Sequence, residues 1–247
     1  MTASSTKSSP TTSPKKVLAG HLATLSARIE WGRAETSEER QAIFRLRYQA
    51  YLREGMIPTN PFEKFTDAAD GAENAYLFGV YIDGKLASSL RLHIGSQDHP
   101  NVPSLEMFSD VLQPLLAAGR VIIDCTCLVA DEAVARQYPA LPYITLRPCM
   151  LAAEYFHGDA LLAAVRPEHQ AFYRRAFDYR VLCGPRQHPP LTKPLSLVTL
   201  NFPMAAQQLC EKYPFLQSTA FERDKLLRST DYVPVRRAPS LQPHCRR

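Results

Sequence analysis

The sequence lacks several features that would assign it to a large functional class. No apolar run approaches the ~20 residues that span a bilayer, and no apolar signal core follows the Ser/Thr/Pro-rich residues 1–14. Neither G-x-G-x-x-G nor G-x-x-x-x-G-K-[ST] occurs, so dinucleotide oxidoreductases and P-loop NTPases lose their main support. A G-x-S-x-G elbow is also absent, which argues against a serine thioesterase.

Cysteine is scarce, with six residues in 247. Together with the missing signal core, this favours a cytoplasmic protein with free thiols. Cys125 and Cys127 lie two apart on an apolar run, so both would face one side of a strand. No second Cys/His pair has a zinc-like spacing relative to them. We therefore expect no metal site and no bound cofactor.

Acidic residues are nearly absent from the two ends. Residues 1–28 contribute +4 and residues 230–247 contribute +3 to a net charge of +5, so the segment between them is slightly acidic. We predict a disordered basic tail at residues 1–24 and a basic Pro/Arg tail at residues 231–247. The few tail charges lack interleaved aromatic residues, so no nucleic-acid partner is expected.

Hydrophobic periodicity predicts one domain of the α/β (α+β) class at residues 25–202, followed by a helical extension at residues 203–230. Asp83-Gly84 between two strand-like runs indicates a hairpin, which forbids a purely parallel sheet. We therefore expect a mixed, mostly antiparallel sheet flanked by helices. The predicted strands are residues 26–31, 76–82, 86–94, 121–129, 160–165, 179–183 and 195–202. The predicted helices are residues 38–53 (with Ser37 as N-cap), 144–156, 167–176, 204–212 and 219–229.

Five short motifs, in order, resemble a family of acyltransferases. Residues 44–51, FRLRYQAY, resemble the R-x-R-Y-x-x-Y segment of N-acyl amino acid synthases of the FeeM type, relatives of LuxI-type acyl-homoserine-lactone autoinducer synthases. The acidic loop at residues 67–70, Arg91 on a strand, Asp124 on the central strand, and residues 144–177 follow in the family's order. The resemblance covers about residues 27–202. It implies a GNAT-like fold and transfer of a fatty acyl group from acyl carrier protein (acyl-ACP) or acyl-CoA to an amine.

Departures from the autoinducer synthases refine this expectation. Phe65 stands where their acidic loop begins, and Cys127 stands where their central strand carries an arginine. Both losses argue against S-adenosylmethionine and favour an amino acid acceptor. The alternatives are an autoinducer-type synthase and a non-catalytic GNAT-like binding module. The usual GNAT pyrophosphate signature is missing before Arg147, which favours a carrier-protein donor over free acyl-CoA.

The predicted catalytic residues are Asp124, Arg91 and Arg47. An amine must lose a proton before it attacks a thioester, and Asp124 interrupts an apolar run where an unpaired carboxylate is costly. We expect Asp124 to act as acid/base or to orient the amine; alternatively, it caps local backbone or pairs with an arginine. Arg47 and Arg91 would bind a carboxylate or organise the acidic loop, and the alternative is ordinary ion pairs. The predicted substrate-binding residues are Asp67, Asp70, Tyr48, Tyr51, Thr126 and Cys127, with the tyrosines as core or acyl-tunnel lining.

Two further expectations concern a rival mechanism and the partners. A nucleophilic Cys125 or Cys127 would need a base, for which the candidates are His93, His157 and His169. Acyl carrier proteins are acidic, so Arg166, Arg174 and Arg175 are candidate docking residues, with an ordinary solvated face as the alternative. A long-chain product is amphiphilic, which favours peripheral contact with the inner membrane through the C-terminal helices.

Overall fold

A computed structural model describes residues 28–228 together with Leu22 and Leu25. Most of residues 1–24 and all of residues 231–247, for which tails were predicted, lie outside the described residues. The strands are β1 (Ile29–Arg33), β2 (Ala75–Ile82), β3 (Lys85–Gly95), β4 (Ile122–Ala130), β5 (Ala160–Val165), β6 (Arg180–Arg186) and β7 (Leu195–Asn201). The α-helices are α1 (Ser37–Arg53), α2 (Leu105–Ala117), α3 (Glu132–Gln137), α4 (Leu141–Thr145), α5 (Arg147–Tyr155), α6 (Gln170–Phe177), α7 (Phe202–Lys212) and α8 (Ala220–Leu227). Short 3₁₀ helices span Ala68–Gly71, Pro167–His169 and Pro214–Leu216.

The strands form one seven-stranded sheet in the order β1-β2-β3-β4-β5-β7-β6. Every neighbouring pair is antiparallel except β4 and β5, which are parallel. Asp83 and Gly84 join β2 to β3 with φ angles of 50° and 75°, the positive values that a tight hairpin turn requires. The mixed, mostly antiparallel sheet flanked by helices confirms the predicted fold class.

Helix α1 begins one residue earlier than the sequence suggested. Its N-cap is Thr36, not Ser37, and Thr36 forms a reciprocal capping box with Glu39. The prediction was wrong because it placed Arg40 at the third helical position, where a capping box needs Glu or Gln.

Prolines caused two larger errors. The sequence predicted no helix between β3 and β4, but α2 lies there, with Pro114 inside it and non-helical dihedral angles at Phe108. The single helix expected at residues 144–156 is divided between α4 and α5, because Pro142 and Pro148 each favour a helix start. A proline is compatible with the first turn of a helix, so its presence alone does not mark a loop.

The largest hydrophobic core lies between one sheet face and α5 and α6, and it includes residues of α7 and α8. Within it Cys125 on β4 and Cys149 on α5 form a disulfide. The expectation of free thiols is therefore wrong for this pair, whereas Cys127, Cys183 and Cys210 are free. The two partners are 24 residues apart, and helix packing brings them together.

Within residues 28–228, no helix has both the length and the apolarity to cross a membrane.

Candidate active site

Helix α1 covers the sheet face on which Arg91 lies. Arg91 is the register partner of Leu77, and Leu77 packs with Ile43 and Phe44 of α1. One turn further along α1, Leu46 and Ala50 pack against Val129 of β4. Since residues three and four apart share one side of a helix, this packing directs Arg47 and Tyr51 toward β3 and β4.

The sheet opens between its two parallel strands. Strands β4 and β5 pair only from Ile122 with Ala160 to Cys125 with Ala163. Beyond Cys125 the rest of β4 has no register partner on β5. A cavity of about 390 Å³ lies here, which we call the strand-gap cavity. Its lining is mainly apolar and includes Tyr51, Met56, residues 125–130, Phe172, Tyr173 and Leu195.

A β-bulge lies in β4 at the point where the strands part. Ser89 pairs with Val129 and Arg91 pairs with Thr126, so Leu90 faces two residues, Cys127 and Leu128. Cys127 has a φ of 52°, which is uncommon for a residue with a side chain. Such bulges bend a strand and redirect its side chains. Here the bulge brings Thr126 and Cys127 to the walls of two cavities.

The second cavity, of about 200 Å³, lies beside the first, and we call it the loop cavity. It shares Tyr51, Thr126, Cys127, Ala164, Leu191 and Leu195 with the strand-gap cavity. Its other walls carry the polar side chains of Thr66, Asp67, Arg91, Ser104, Glu106 and His188. Two cavities, each lined by apolar and polar residues, therefore adjoin at the bulge of β4.

Two arginines and two aspartates form an ion-pair cluster beside the loop cavity, in which Arg47, Arg91 and Asp70 are buried and Asp67 is exposed. Arg91 Nη1 lies 2.5 Å from Asp67 Oδ1 and 3.0 Å from Asp70 Oδ1, and its Nη2 lies 3.1 Å from Asp67 Oδ2. Arg47 Nη1 donates to Asp70 Oδ1 at 2.7 Å. Arg91 Nε also donates to Thr126 Oγ1 at 3.1 Å. The structure thus joins Arg47, Arg91, Asp67 and Asp70, as the sequence predicted.

The ionised form of Asp70 is strongly favoured. Burial alone would raise the pKa of this carboxyl group, but the charges of Arg47 and Arg91 outweigh it and bring the pKa down to about 2. The hydroxyl of Thr66 and the backbone N–H of Asp67 donate to Asp70 Oδ2. Asp70 is therefore a fixed anion that holds both guanidinium groups in place.

Tyr51 lies between the cluster and the bulge. Burial raises its pKa well above the usual value, and a hydrogen bond with the thiol of Cys127 adds to the shift. Tyr51 also packs against Phe65, with ring centroids 4.8 Å apart and the rings tilted by 55°. The phenol stays protonated at neutral pH and lines both cavities.

The fold and the family follow from comparison with known proteins. A family model described as N-acyl amino acid synthase FeeM matches residues 42–201. The chain belongs to the FeeM family of N-acyl amino acid synthases. It is therefore an N-acyltransferase, and its sheet has the GNAT-like fold. No curated protein sequence matches the chain.

Solved structures show the same fold at low sequence identity. The structure of FeeM, an N-acyl amino acid synthase from uncultured soil microbes, has a TM-score of 0.61 at 17% identity. The aligned region covers 75% of this chain and 97% of the FeeM chain. TofI, solved with an inhibitor and MTA, has a TM-score of 0.54 at 12% identity over 77% of this chain and 100% of its own. The CoA-dependent acyl-homoserine lactone synthase BjaI has a TM-score of 0.53 at 15% identity, over 76% of this chain and 89% of its own.

Asp124 lies beneath the loop cavity and not on its wall. It is fully buried, and Ser104 binds both of its oxygens: the backbone N–H donates to Oδ2 at 2.8 Å and the hydroxyl to Oδ1 at 2.7 Å. Burial raises the pKa of Asp124, whereas the bonds from Ser104 and the charge of Arg91 lower it. Asp124 lines neither cavity, but Ser104 lines the loop cavity. Asp124 therefore binds a backbone N–H, but that of a residue 20 positions away in the sequence and not the local backbone that the alternative interpretation expected.

The remaining predicted residues are distributed as follows. Tyr48 lines neither cavity; it packs in a small core with Met56, Ile57 and Leu195, and its hydroxyl accepts from Asn60 N at 3.3 Å. Arg166 lines the strand-gap cavity and pairs with Glu54 and Glu168. Arg174 and Arg175 are exposed on α6.

The histidines considered for a cysteine mechanism differ in position. His93 is buried, with Nε2 at 2.9 Å from Ala69 O and no hydrogen-bond partner at Nδ1. Burial and the charge of Arg91 lower its pKa to about 4. His157 is exposed. Of the three histidines, His169 alone shares a cavity with Cys127.

Sequence reasoning missed the far wall of the loop cavity, which carries Ser104, Glu106 and His188. A signal for the first two was present, because Ser104 precedes an apolar periodicity that includes Leu105, Phe108 and Leu112. His188 lies between β6 and β7. No local pattern indicates that this loop reaches the cavity.

Proposed function

We propose that this N-acyltransferase moves a long fatty acyl group from a thioester to the amine of an amino acid. The observation that carries the proposal is the shared wall of the two cavities at Thr126 and Cys127. The strand-gap cavity suits a thioester with its apolar chain, and the loop cavity suits a small polar acceptor. The thioester carbonyl would then lie at the bulge, within reach of the amine.

The reaction needs positioning and proton transfer more than covalent catalysis. The neutral amine attacks the carbonyl carbon, the C–S bond breaks, and the thiolate leaves and takes up a proton while the nitrogen loses one. Negative charge develops on the carbonyl oxygen, so N–H donors near it lower the barrier. The bulged segment of β4 supports this role, because Cys127 and Leu128 share one partner on β3 and have none on β5.

Each polar group has a role in this scheme. Arg91 holds Asp67 at the loop cavity and Thr126 at the junction, while Arg47 acts through Asp70 as a positioning residue. Asp67, whose side chain is 45% exposed, would bind the ammonium form of the acceptor. Asp124 positions Ser104 on the cavity wall.

An amino acid acceptor fits the site better than S-adenosylmethionine. Phe65, which replaces the first acid of the autoinducer synthase loop, lines the loop cavity and packs on Tyr51. An aromatic ring here reduces the number of acidic groups that a sulfonium substrate would meet. The other replacement, Cys127, places a neutral thiol at the junction.

An acyl carrier protein is the proposed donor. Arg174 and Arg175 are exposed on α6, and Arg166 lines the strand-gap cavity. An acidic carrier would be attracted to this side of the domain.

We place the protein in the cytoplasm, with product release at the inner membrane. The exposed apolar side chains of Met204 on α7 and Phe221 on α8 support this membrane contact.

A matrix of donors and acceptors tests the proposal. Purified protein is incubated with acyl carrier protein or CoA thioesters of several chain lengths and with pooled amino acids, and products are identified by mass spectrometry. We expect an N-acyl amino acid and stoichiometric release of carrier thiol, with long-chain acyl-ACP as the best donor. Absence of acylated product with every donor contradicts the proposal, and a lactone made from S-adenosylmethionine identifies an autoinducer synthase instead.

A further inference from the structure

The charged side chains on the wall of the loop cavity are Asp67, Arg91 and Glu106, accompanied by His188. Asp67 and Asp70 balance Arg91 and Arg47 within the ion-pair cluster. Glu106 lies outside that cluster, and its side chain is 69% exposed. Its contact is His188, with Nε2 3.3 Å from Glu106 Oε2. Glu106 therefore adds one carboxylate beside a cluster in which two carboxylates and two guanidinium groups balance.

Arg91, the one guanidinium on this wall among the described residues, is already occupied. Its Nε donates to Thr126, its Nη1 contacts Asp67 and Asp70, and its Nη2 donates to Asp67. Arg47 is fully buried and lines neither cavity. An acceptor carboxylate would have to displace Asp67 to form an ion pair with Arg91.

Backbone donors near the start of α2 are also used. The N–H of Ser104 donates to Asp124, the N–H of Leu105 to Val102 O, and the N–H of Glu106 to Pro103 O. At the end of α2 on the cavity wall, the carboxylate of Glu106 can therefore bind a ligand, whereas the N–H groups of residues 104–106 already have acceptors. The polar wall suits a cation better than an anion.

Building on the proposed function, we propose that the acceptor carries a second cationic group and that Glu106 binds it. The chemical class is a dibasic amine, either an amino acid with a cationic side chain or a diamine. One amine is acylated at the junction, and the other pairs with the carboxylate of Glu106. A zwitterion without net charge would place its carboxylate beside Asp67 and Glu106 and would gain no compensating cation. The volume of about 200 Å³ restricts the acceptor to a small molecule.

An acceptor competition assay tests this inference. The full-length protein and one acyl-ACP are given equimolar ornithine, lysine, 1,4-diaminobutane, leucine and glutamate, and kcat/KM is compared by mass spectrometry. We expect the dibasic acceptors to exceed leucine, and leucine to exceed glutamate. Glu106→Gln lowers the ratio of ornithine to leucine by about fivefold, the scale of a partly exposed ion pair. Glu106→Lys lowers it further by repelling the cation. The matched control is Glu38→Gln, an exposed acid at the start of α1, which keeps the ratio.

Binding without a donor separates this inference from the proposed function. Calorimetry with ornithine and leucine uses the same variants and needs no turnover. If nothing is acylated while ornithine binds in a Glu106-dependent manner, the proposed function fails and the cation site stands. If leucine is acylated as efficiently as ornithine, or if Glu106→Gln leaves the ratio unchanged, the inference is overturned. The diamine arm shows whether the acceptor needs a carboxylate at all.

Discussion

The carboxylate of Asp124 accepts two hydrogen bonds from a single residue, Ser104. Helix α2 begins at the next residue, and Glu106 in its first turn lines the loop cavity. A buried acid on the central strand thus fixes the start of a helix at the wall of the site. Asp124 does not line either cavity, so we propose that it acts through Ser104 as a positioning residue.

Replacing Asp124 tests this linkage. Asp124→Asn turns one acceptor oxygen into a donor facing the donors of Ser104, so we expect a loss of about 1–3 kcal/mol in unfolding free energy together with a clear fall in kcat/KM. Ser104→Ala should give a smaller fall in the same direction. In the double variant the effects should not add, because the two residues share one pair of bonds. Full activity in Asp124→Asn would refute the linkage.

The ion-pair cluster predicts a large effect on stability from Arg47. Arg47→Ala leaves Asp70 with one guanidinium partner in a buried site, and removal of one member of a buried pair costs about 3–5 kcal/mol. Urea denaturation followed by circular dichroism measures the change. Arg45→Ala, an exposed arginine on the same helix, is the control and should change stability little. Equal stability of the two variants would show that the cluster is not a structural anchor.

The hairpin and the cluster show what local patterns could predict. Asp83-Gly84 and the alternation on either side defined β2 and β3 nearly to the residue, because turn chemistry and strand period are local. Arg47, Arg91, Asp67 and Asp70 were grouped correctly, but through a resemblance and not through spacing. The partners of Asp124 and of Cys125 were missed, because Ser104 and Cys149 are brought to them by helix packing.

His93 predicts how stability depends on pH. Its pKa is lowered to about 4 in the fold, whereas an unfolded histidine titrates at about 6.5. Between these values the unfolded state binds a proton that the folded state does not, so stability falls as pH decreases from about 6.5 to 4. His93→Gln removes this titration. Its unfolding free energy should therefore have a shallower slope with pH over that range, measured by urea denaturation at several pH values.

Cys127 separates direct attack from a covalent mechanism. If the amine attacks the thioester directly, Cys127→Ala should retain turnover within about tenfold of the unmodified protein, the loss reflecting altered contacts at the junction. Intact-mass spectrometry of the unmodified protein with acyl-ACP alone should show no acylated enzyme. Complete inactivation of Cys127→Ala, together with an acyl adduct on Cys127, would establish the cysteine mechanism.

The exposed arginines of α6 predict the dependence on the donor. Reversal of both charges in Arg174→Glu/Arg175→Glu should raise KM for acyl-ACP severalfold and leave KM for acyl-CoA nearly constant, because the carrier protein alone covers that surface. Added salt should weaken acyl-ACP binding in the unmodified protein and have less effect in the variant. The control Arg45→Glu carries the same reversal on α1. An equal change with both donors would assign these residues to another role.

The single extra residue in β4 has a consequence for how the domain is built. In a regular strand each side chain alternates between the two faces, but Cys127 and Leu128 together occupy one step opposite Leu90. The extra residue therefore reverses the alternation of side chains along β4. It determines which residues after the bulge, up to Val129, face α1. Deletion of one of these two residues would restore an unbroken ladder with β3, keep Val129 opposite Ser89 and remove the local bend that the bulge imposes. The irregular step therefore changes the backbone at the walls of the two cavities without changing the pairing on either side of it.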